Sequence, residues 1–387
     1  MLAVIHYDEI AIKGKNRPFF EKKLVDNIRS FLKKENYNAI KRVYGRIILD
    51  YRGTKEHIQE TLKTIAGISH FSFAEQVALT NNIEEIKQKT LEIAQEKEKH
   101  SAKTFHIKTI RSNKSFPLDS IKINELVGEH IIKNTKLAVS LKDSDFVIFI
   151  EITDNNAYVY TEKIKSLSGL PVGVTGKLIA LISGGIDSPV AAYKMFLRGC
   201  SISIVHFHNY NINTKAVKEK ILSLAKILSK YQFKTKLYLV PFKELQQEII
   251  TKIPAKYRMI VYRRFMFRIA ELILKKEHAK AFVTGDNLAQ VASQTLENLE
   301  VIYASTNIPI FSPLIGENKQ DIINLAKQIN TYETSILPYD DCCTYFVAEH
   351  PETKSNLADI EKLESALNIK KLIEDAFKRT EIKAILR

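Results

Sequence analysis

Apolar positions along this 387-residue chain change period several times, and each change marks a different kind of element. An apolar start at 2–7 predicts a strand, and Phe20, Leu24, Ile28 and Phe31 recur at helical spacing after Pro18, which opens a helix. Strands near 39–51, broken at Gly45, and a helix near 54–65 complete a βαββα unit. A second small unit follows, with strands near 70–77, 104–110, 147–152 and 156–162 and helices over 82–97 and 118–133. Ser166–Gly176, with Gly169, Pro171, Gly173 and Gly176, has the composition of a linker. From Lys177 apolar strands alternate with helices: strands at 178–182, 201–207, 236–240 and 280–284, and helices at 189–198, 215–230, 243–252, 258–276 and 288–299, the third strand being followed by two helices. Such alternation predicts an α/β fold with a doubly wound parallel sheet over 177–387, preceded by two small α+β domains at 1–60 and 61–165 and a linker at 166–176. In such sheets ligands bind beyond the carboxyl ends of the strands, so Ile182-Ser183, Phe207-His208 and Thr284-Gly285 are expected to converge.

The first strand of that domain leads directly into Ser183-Gly-Gly-Ile-Asp-Ser188. Two glycines leave backbone amides able to curl around an anion, and Ser188-Pro189 supplies an N-cap hydroxyl and a proline at the first helical position. The helix N-terminus then faces the turn, where a phosphate is the natural occupant. Walker A is excluded, because Gly176-Lys177 is preceded five residues earlier by Pro171 rather than glycine, and no Rossmann fingerprint occurs.

A formal net charge of +14 draws polyanions and gives binding that weakens with salt. Cations mixed with polar residues and an aromatic at Lys108–Pro117, together with Lys13, Lys15 and Arg17, make Lys13, Lys15, Arg17, Lys108, Arg111 and Lys114 candidate RNA contacts. No apolar run approaches the ~18 residues that cross a bilayer, and the N-terminus lacks the features of a signal peptide, so a cytoplasmic location is expected. Three cysteines, Cys200, Cys342 and Cys343, are too few for a disulfide framework.

Several separate motifs carry a family resemblance: Tyr7–Asn16, Ser168–Gly173, Leu181–Ala191, Val283–Thr295 and Thr334-Ser-Ile-Leu-Pro-Tyr-Asp-Asp-Cys-Cys-Thr344. In this order they resemble the tRNA 4-thiouridine synthetases, or tRNA sulfurtransferases, over nearly the full chain. The resemblance implies a ferredoxin-like domain, a THUMP domain and a PP-loop ATP pyrophosphatase domain. It implies ATP and Mg²⁺ as cofactors, tRNA as partner, and adenylation of the 4-oxygen of uridine eight followed by its replacement with sulfur. Sulfur supply to thiazole (thiamine) biosynthesis is a further activity left open.

By the same resemblance Asp187 takes a catalytic role through a metal or the transition state, and Cys342 carries the persulfide, with Cys343 one residue from that register. Leu181, Ile182, Ser183, Gly184, Gly185, Ser188, His206, Phe207, Arg263, Gly285 and Gln294 line the nucleotide. Arg264, adjacent to Arg263, is the alternative phosphate contact, and Arg268 is expected at the surface. His206 and His208 share a strand face but lack an evident third metal ligand. Some relatives carry a C-terminal rhodanese-like domain for which the 387 residues leave no room, so a cysteine desulfurase is the expected persulfide donor. A small sulfur-carrier protein and a homodimer are compatible with the resemblance. Two other readings share parts of the pattern: a PP-loop ligase amidating a small acid, and a non-catalytic tRNA-binding module.

Overall fold

A computed structural model of the chain describes residues 1–79, 83–112, 114, 116–209, 214–338 and 348–386. They divide into two units, Met1–Pro171 and Val172–Arg387. Cys342 and Cys343 lie outside the described residues.

The first unit contains strands β1 (Leu2–His6), β2 (Tyr37–Val43), β3 (Arg46–Tyr51), β4 (His70–Ala78), β5 (Thr104–Arg111), β6 (Ala138–Val139), β7 (Phe146–Ile152), β8 (Asn156–Tyr160) and β9 (Ile164–Lys165). Helices α1 (Arg17–Leu32), α2 (Lys55–Leu62), α3 (Glu84–Lys99) and α4 (Ser120–Asn134) accompany them. The strands form one sheet in the order β2-β3-β1-β4-β8-β7-β5-β6, with β9 beside β4. The expected pair of α+β domains therefore shares a strand. β4 pairs antiparallel with β1 over 70–74 and with β8 over 75–78. An unbroken nine-residue strand reads the same whether it has one partner or two, so periodicity could not reveal this.

A buried carboxylate fastens the two halves of that sheet. Glu151 of β7 meets His6 Nε2 of β1 at 2.9 Å and Arg46 Nη1 of β3 at 3.1 Å, and accepts the Tyr160 hydroxyl of β8. Burial alone would raise its pKa, but the His6, Arg46 and Tyr160 contacts outweigh it and hold the carboxyl at about 2.

The second unit contains β10 (Lys177–Leu181), α5 (Asp187–Leu197), β11 (Ser201–His208), α6 (Thr214–Ser229), β12 (Lys234–Pro241), α7 (Lys243–Lys252), α8 (Arg258–Glu277), β13 (Ala281–Val283), α9 (Leu296–Tyr303), β14 (Ile310–Phe311), α10 (Lys319–Gln328), α11 (Tyr332–Ser335), α12 (Leu357–Glu364), α13 (Ile369–Lys378) and β15 (Glu381–Leu386). Its sheet runs β14-β13-β10-β11-β12-β15. Neighbours are parallel except β15, which closes the β12 edge antiparallel. The chain winds outward from β10 through β11 and β12, then resumes on its other side at β13. The switch point lies between β10 and β13, where crossover connections diverge and leave a crevice.

The apolar run Leu178–Ala180 is buried, as a central parallel strand requires. Ile179 packs in one core with α8, whose Phe265, Phe267, Ile269 and Ile273 are fully enclosed. The helix expected over 288–299 begins only at Leu296. Ala289 sits at φ 60, and Thr295 is extended and caps α9 by accepting the Asn298 amide at 3.3 Å. Among the described residues no helix is long and apolar enough to cross a membrane.

At the amino ends of the strands, Glu277 closes α8 with its side chain 1% exposed. It accepts Lys177 Nζ at 2.7 Å, Lys236 Nζ at 2.7 Å, Ser203 Oγ at 3.0 Å and the Tyr238 hydroxyl at 2.6 Å. Burial opposes ionisation, yet these donors lower its pKa from 4.5 to about 2. A folded value below the unfolded one contributes stability that is fully present above pH 4.5 and is lost as pH falls toward 2. Glu277→Gln is expected to lower the urea midpoint at neutral pH and to flatten its dependence across that acid window. An unchanged acid limb would remove Glu277 as its source.

Candidate functional site

A cavity of about 270 Å³ opens at the carboxyl ends of β10, β11 and β13. Ten of the sequence candidates line it: Leu181, Ile182, Ser183, Asp187, Ser188, His206, Phe207, Arg263, Gly285 and Gln294. The three strand ends expected to converge do so, with His206 rather than His208 as the histidine in the wall. Gly184 and Gly185 sit in the loop beside it.

The Ser183–Ser188 loop differs from its expected cap. α5 starts at Asp187, and Ile186 occupies the cap position without a side-chain bond. Ser188 instead turns its hydroxyl back, accepting the Ser183 amide at 2.9 Å and lying 3.1 Å from Ser183 Oγ. Pro189 is thus third in the helix, still within the first turn, where its missing N–H breaks no bond. Gly185 donates its amide to Ser183 Oγ at 3.2 Å. Among the described residues the Gly184 and Ile186 amides have no acceptor, which leaves two donors at a helix N-terminus for an anion.

Asp187 faces a partner the sequence did not suggest. Lys319, first residue of α10, places Nζ 2.6 Å from Asp187 Oδ1, and Gln290 donates to Oδ2 at 2.9 Å. A lysine beginning a distant helix carries no local signal of this role. Nothing in its own segment distinguishes it from the other lysines of a basic chain.

Gly285 follows β13 and packs directly on α5. A Cβ there would stand 2.6 Å from the Ser188 nitrogen and 2.9 Å from the Asp187 carbonyl carbon. Only glycine lets β13 and the loop approach so closely. His206, 1% exposed, fixes the same corner by placing Nδ1 2.9 Å from the Ile182 carbonyl oxygen. The neighbouring His208 is pushed down to about 3, chiefly by burial and then by its neighbours His206 and Lys218.

The three arginines of α8 separate into different tasks. Arg263 lines the cavity and donates Nη2 to both oxygens of Asp286 at 2.7 and 2.6 Å, and Nη1 to the Ser293 carbonyl at 3.2 Å. Arg264, offered as the alternative phosphate contact, points away. It is 1% exposed, donates Nε and Nη2 to Glu364 of α12 at 2.9 and 3.1 Å, and also donates to the Val301 carbonyl. Arg268, expected at the surface, grips the same Glu364 at 2.8 and 2.7 Å. Sequence spacing could not sort them, because all three lie on one helix whose faces are resolved only by packing.

Asp286 was not among the candidates. Besides Arg263 it accepts Thr284 Oγ1 at 2.8 Å, the Tyr303 hydroxyl at 2.8 Å and Gln294 Nε2 at 3.1 Å. Burial would raise its pKa, but the Arg263 charge and these donors hold it below the usual carboxylate range. Tyr303 is pushed up to about 12 by burial and by the same carboxylate.

The candidate RNA contacts in the first unit also divide. Lys15, Lys108 and Lys114 are exposed. Lys13 lies over the Phe20 ring at 5.4 Å. Arg17 donates to the Tyr7 hydroxyl at 2.6 Å and to Glu21 at 2.8 Å, with its guanidinium 4.8 Å from the Tyr44 ring centre. Arg111 donates to the Phe116 and Leu118 carbonyls at 3.0 and 2.5 Å and so holds its own loop.

Comparison with known proteins places this geometry in a family. Residues 2–72 match the ThiI ferredoxin-like domain, 80–162 the THUMP domain, and 173–369 the family described as thiamine biosynthesis protein (ThiI). A probable tRNA sulfurtransferase of Brevibacillus brevis is 40% identical over 99% of this chain and 96% of its own. One of Acetivibrio thermocellus is 41% identical over 99% and 98%. The solved structure of a 4-thiouridine synthetase in complex with RNA and bound ATP superposes with a TM-score of 0.89 at 36% identity, covering 99% of each chain. Similarity that spans both units, at these identities, means that the chain belongs to the ThiI family of tRNA sulfurtransferases.

Proposed function

We propose that the chain thiolates uridine eight of tRNA to 4-thiouridine at the expense of ATP. The observation that carries this reading is the cavity at the β10–β13 switch point, where a helix-start loop with open amides, the Asp187–Lys319 pair and the Arg263–Asp286–Gln294 group meet. A uracil 4-oxygen is a poor leaving group. Attack of that oxygen on the α-phosphorus of ATP expels pyrophosphate and converts it to an ester of AMP, which leaves readily. Gly184, Ile186 and Lys319 meet the charge on pyrophosphate. Preorganised donors of this kind act without reorganisation cost at the moment of reaction.

A resident Mg²⁺ suits the donor set. The loop offers one carboxylate, Asp187, and Mg²⁺ characteristically binds one or two carboxylates together with substrate phosphates. It would neutralise phosphate charge. Asp187 would hold it while Lys319 fixes the carboxylate's orientation.

Cys342 supplies the sulfur as a persulfide charged by a cysteine desulfurase. The terminal sulfur attacks C4, AMP departs with the former 4-oxygen, and an external thiol attacks the Cys342 sulfur to cleave the S–S bond, leaving 4-thiouridine and a mixed disulfide on Cys342, because adjacent cysteines bridge poorly. The same persulfide would serve thiazole formation. The exposed Lys15, Lys108 and Lys114 are available to tRNA phosphates, and the reaction belongs in the cytoplasm with its tRNA.

The test is nucleoside mass spectrometry of tRNA incubated with purified protein, ATP, desulfurase and cysteine. Wild type is expected to form 4-thiouridine. Cys342→Ser is expected to abolish it while pyrophosphate release persists, and Cys343→Ser separates the pair. Full activity of Cys342→Ser would overturn the cysteine assignment, and no 4-thiouridine from wild type would overturn the function.

A further inference from the structure

In the second unit α10 packs on α5, and α11 packs on α6. The inward face of α6 carries Ile221, Leu224 and Leu228, all fully buried, and Lys220 beside them is 5% exposed. Lysine is rarely found so deep, because an ammonium taken out of water is costly unless its donors are met. Lys220 Nζ donates to the Ser335 carbonyl at 2.9 Å and to the Leu337 carbonyl at 2.8 Å. Ser335 ends α11, and a helix leaves its last carbonyls without intrahelical partners, which a cation satisfies well. Pro338 follows, brings no N–H and disfavours helical backbone at Leu337, so the chain leaves the helix layer here. The buried ammonium fixes the point of departure.

Cys342 is five residues beyond Leu337. At no more than 3.6 Å per residue, that is a tether of at most ~18 Å. On the carboxyl side Asn298 of α9 holds the Glu352 carbonyl at 2.8 Å, but ten residues from Cys342. The shorter tether limits where the thiol can go. Sulfur transfer needs the terminal sulfur placed on C4, whereas adenylation takes place among the groups of the cavity, and Lys220 is not one of its lining residues. We propose that Lys220 is a positioning residue for the sulfur-transfer half of the reaction: by holding the Ser335 and Leu337 carbonyls it sets the start of the segment that presents Cys342. This rests on the reading of Cys342 as the persulfide carrier.

Single-turnover reactions of the full chain with ATP, tRNA, desulfurase and cysteine test it, by the amount of 4-thiouridine formed per pyrophosphate released in wild type, Lys220→Met and Lys220→Arg. In wild type this ratio is expected to approach one. Lys220→Met keeps an apolar stem but no donor. Its pyrophosphate release should stay within about twofold of wild type while the ratio falls about tenfold or more, the uncaptured ester being hydrolysed to uridine and AMP. Lys220→Arg again supplies N–H donors for both carbonyls and should restore most of the ratio. A merely structural role would lower the melting temperature and slow both steps together. An unchanged ratio in Lys220→Met, whether pyrophosphate release is normal or reduced, would therefore overturn the inference and leave the function standing. Full 4-thiouridine formation by Cys342→Ser, or none by wild type, would instead overturn the reading beneath it, and this inference with it.

Discussion

Lys319→Met is expected to slow pyrophosphate release from ATP by about 10²–10³-fold, the usual consequence of removing one preorganised donor from developing charge. The side chain is 44% exposed, so its loss should leave the melting temperature nearly unchanged. That combination separates it from a structural lysine. Its Nζ stands 2.6 Å from Asp187 Oδ1, beside the loop whose amides await an anion, and Gln290 holds the other oxygen of the same carboxylate. Asp187→Ala should lose activity on a similar scale. If the two act as a unit, the double variant will be little worse than either single one. Single-turnover measurement of pyrophosphate release in the presence of tRNA reads this directly, and a wild-type rate in Lys319→Met would remove the residue from the mechanism.

The second large effect is on stability. Glu364, 2% exposed, is the counter-ion of both Arg264 and Arg268. Glu364→Ala leaves Arg264 buried without its carboxylate, which typically costs about 3–5 kcal/mol. For a unit of this size that corresponds to a fall in melting temperature of roughly 6–20 °C. Replacing Glu364, Arg264 and Arg268 together with apolar residues of similar volume should restore much of the loss, because the penalty lies in the unpaired charge rather than in the missing attraction. Thermal and urea unfolding of the single and triple variants would check both statements. A single variant within about 1 kcal/mol of wild type would show that Arg264 finds another partner, such as Glu361 at 3.8 Å.

Much of the site was legible because its parts are local. Ser183–Ser188 announces itself by following an apolar strand, and the ends of β10, β11 and β13 could be paired from their order, since parallel strands joined by right-handed crossovers bring their carboxyl ends to one side. Gly285 was found by its glycine, although its physical reason, the 2.6 Å approach to Ser188, belongs to packing. Gln294 was found too, but on a 3₁₀ turn rather than the expected helix, because Ala289 and Thr295 take backbone conformations that interrupt it.

Other features had no local signature. Asp187 and Lys319 are 132 residues apart, and a lysine in a chain of net charge +14 is one of many. Asp286 sits in the Val283–Thr295 motif, yet its weight comes from four partners on α8, α9 and the intervening turns. The choice among Arg263, Arg264 and Arg268 depends on which of them meets the cavity and which meets α12.

By itself, then, the sequence determined the alternation of strands and helices, the glycine turn at Ser183–Ser188, the basic first unit and the family to which these motifs point, because hydrophobic period and turn chemistry act over a few residues. The tertiary structure alone decided which charges are matched: Asp187 by Lys319, Arg263 by Asp286, Arg264 and Arg268 by Glu364. The physical reason is that charges attract through space and in proportion to their burial, and neither distance nor burial between remote segments exists until the chain has folded.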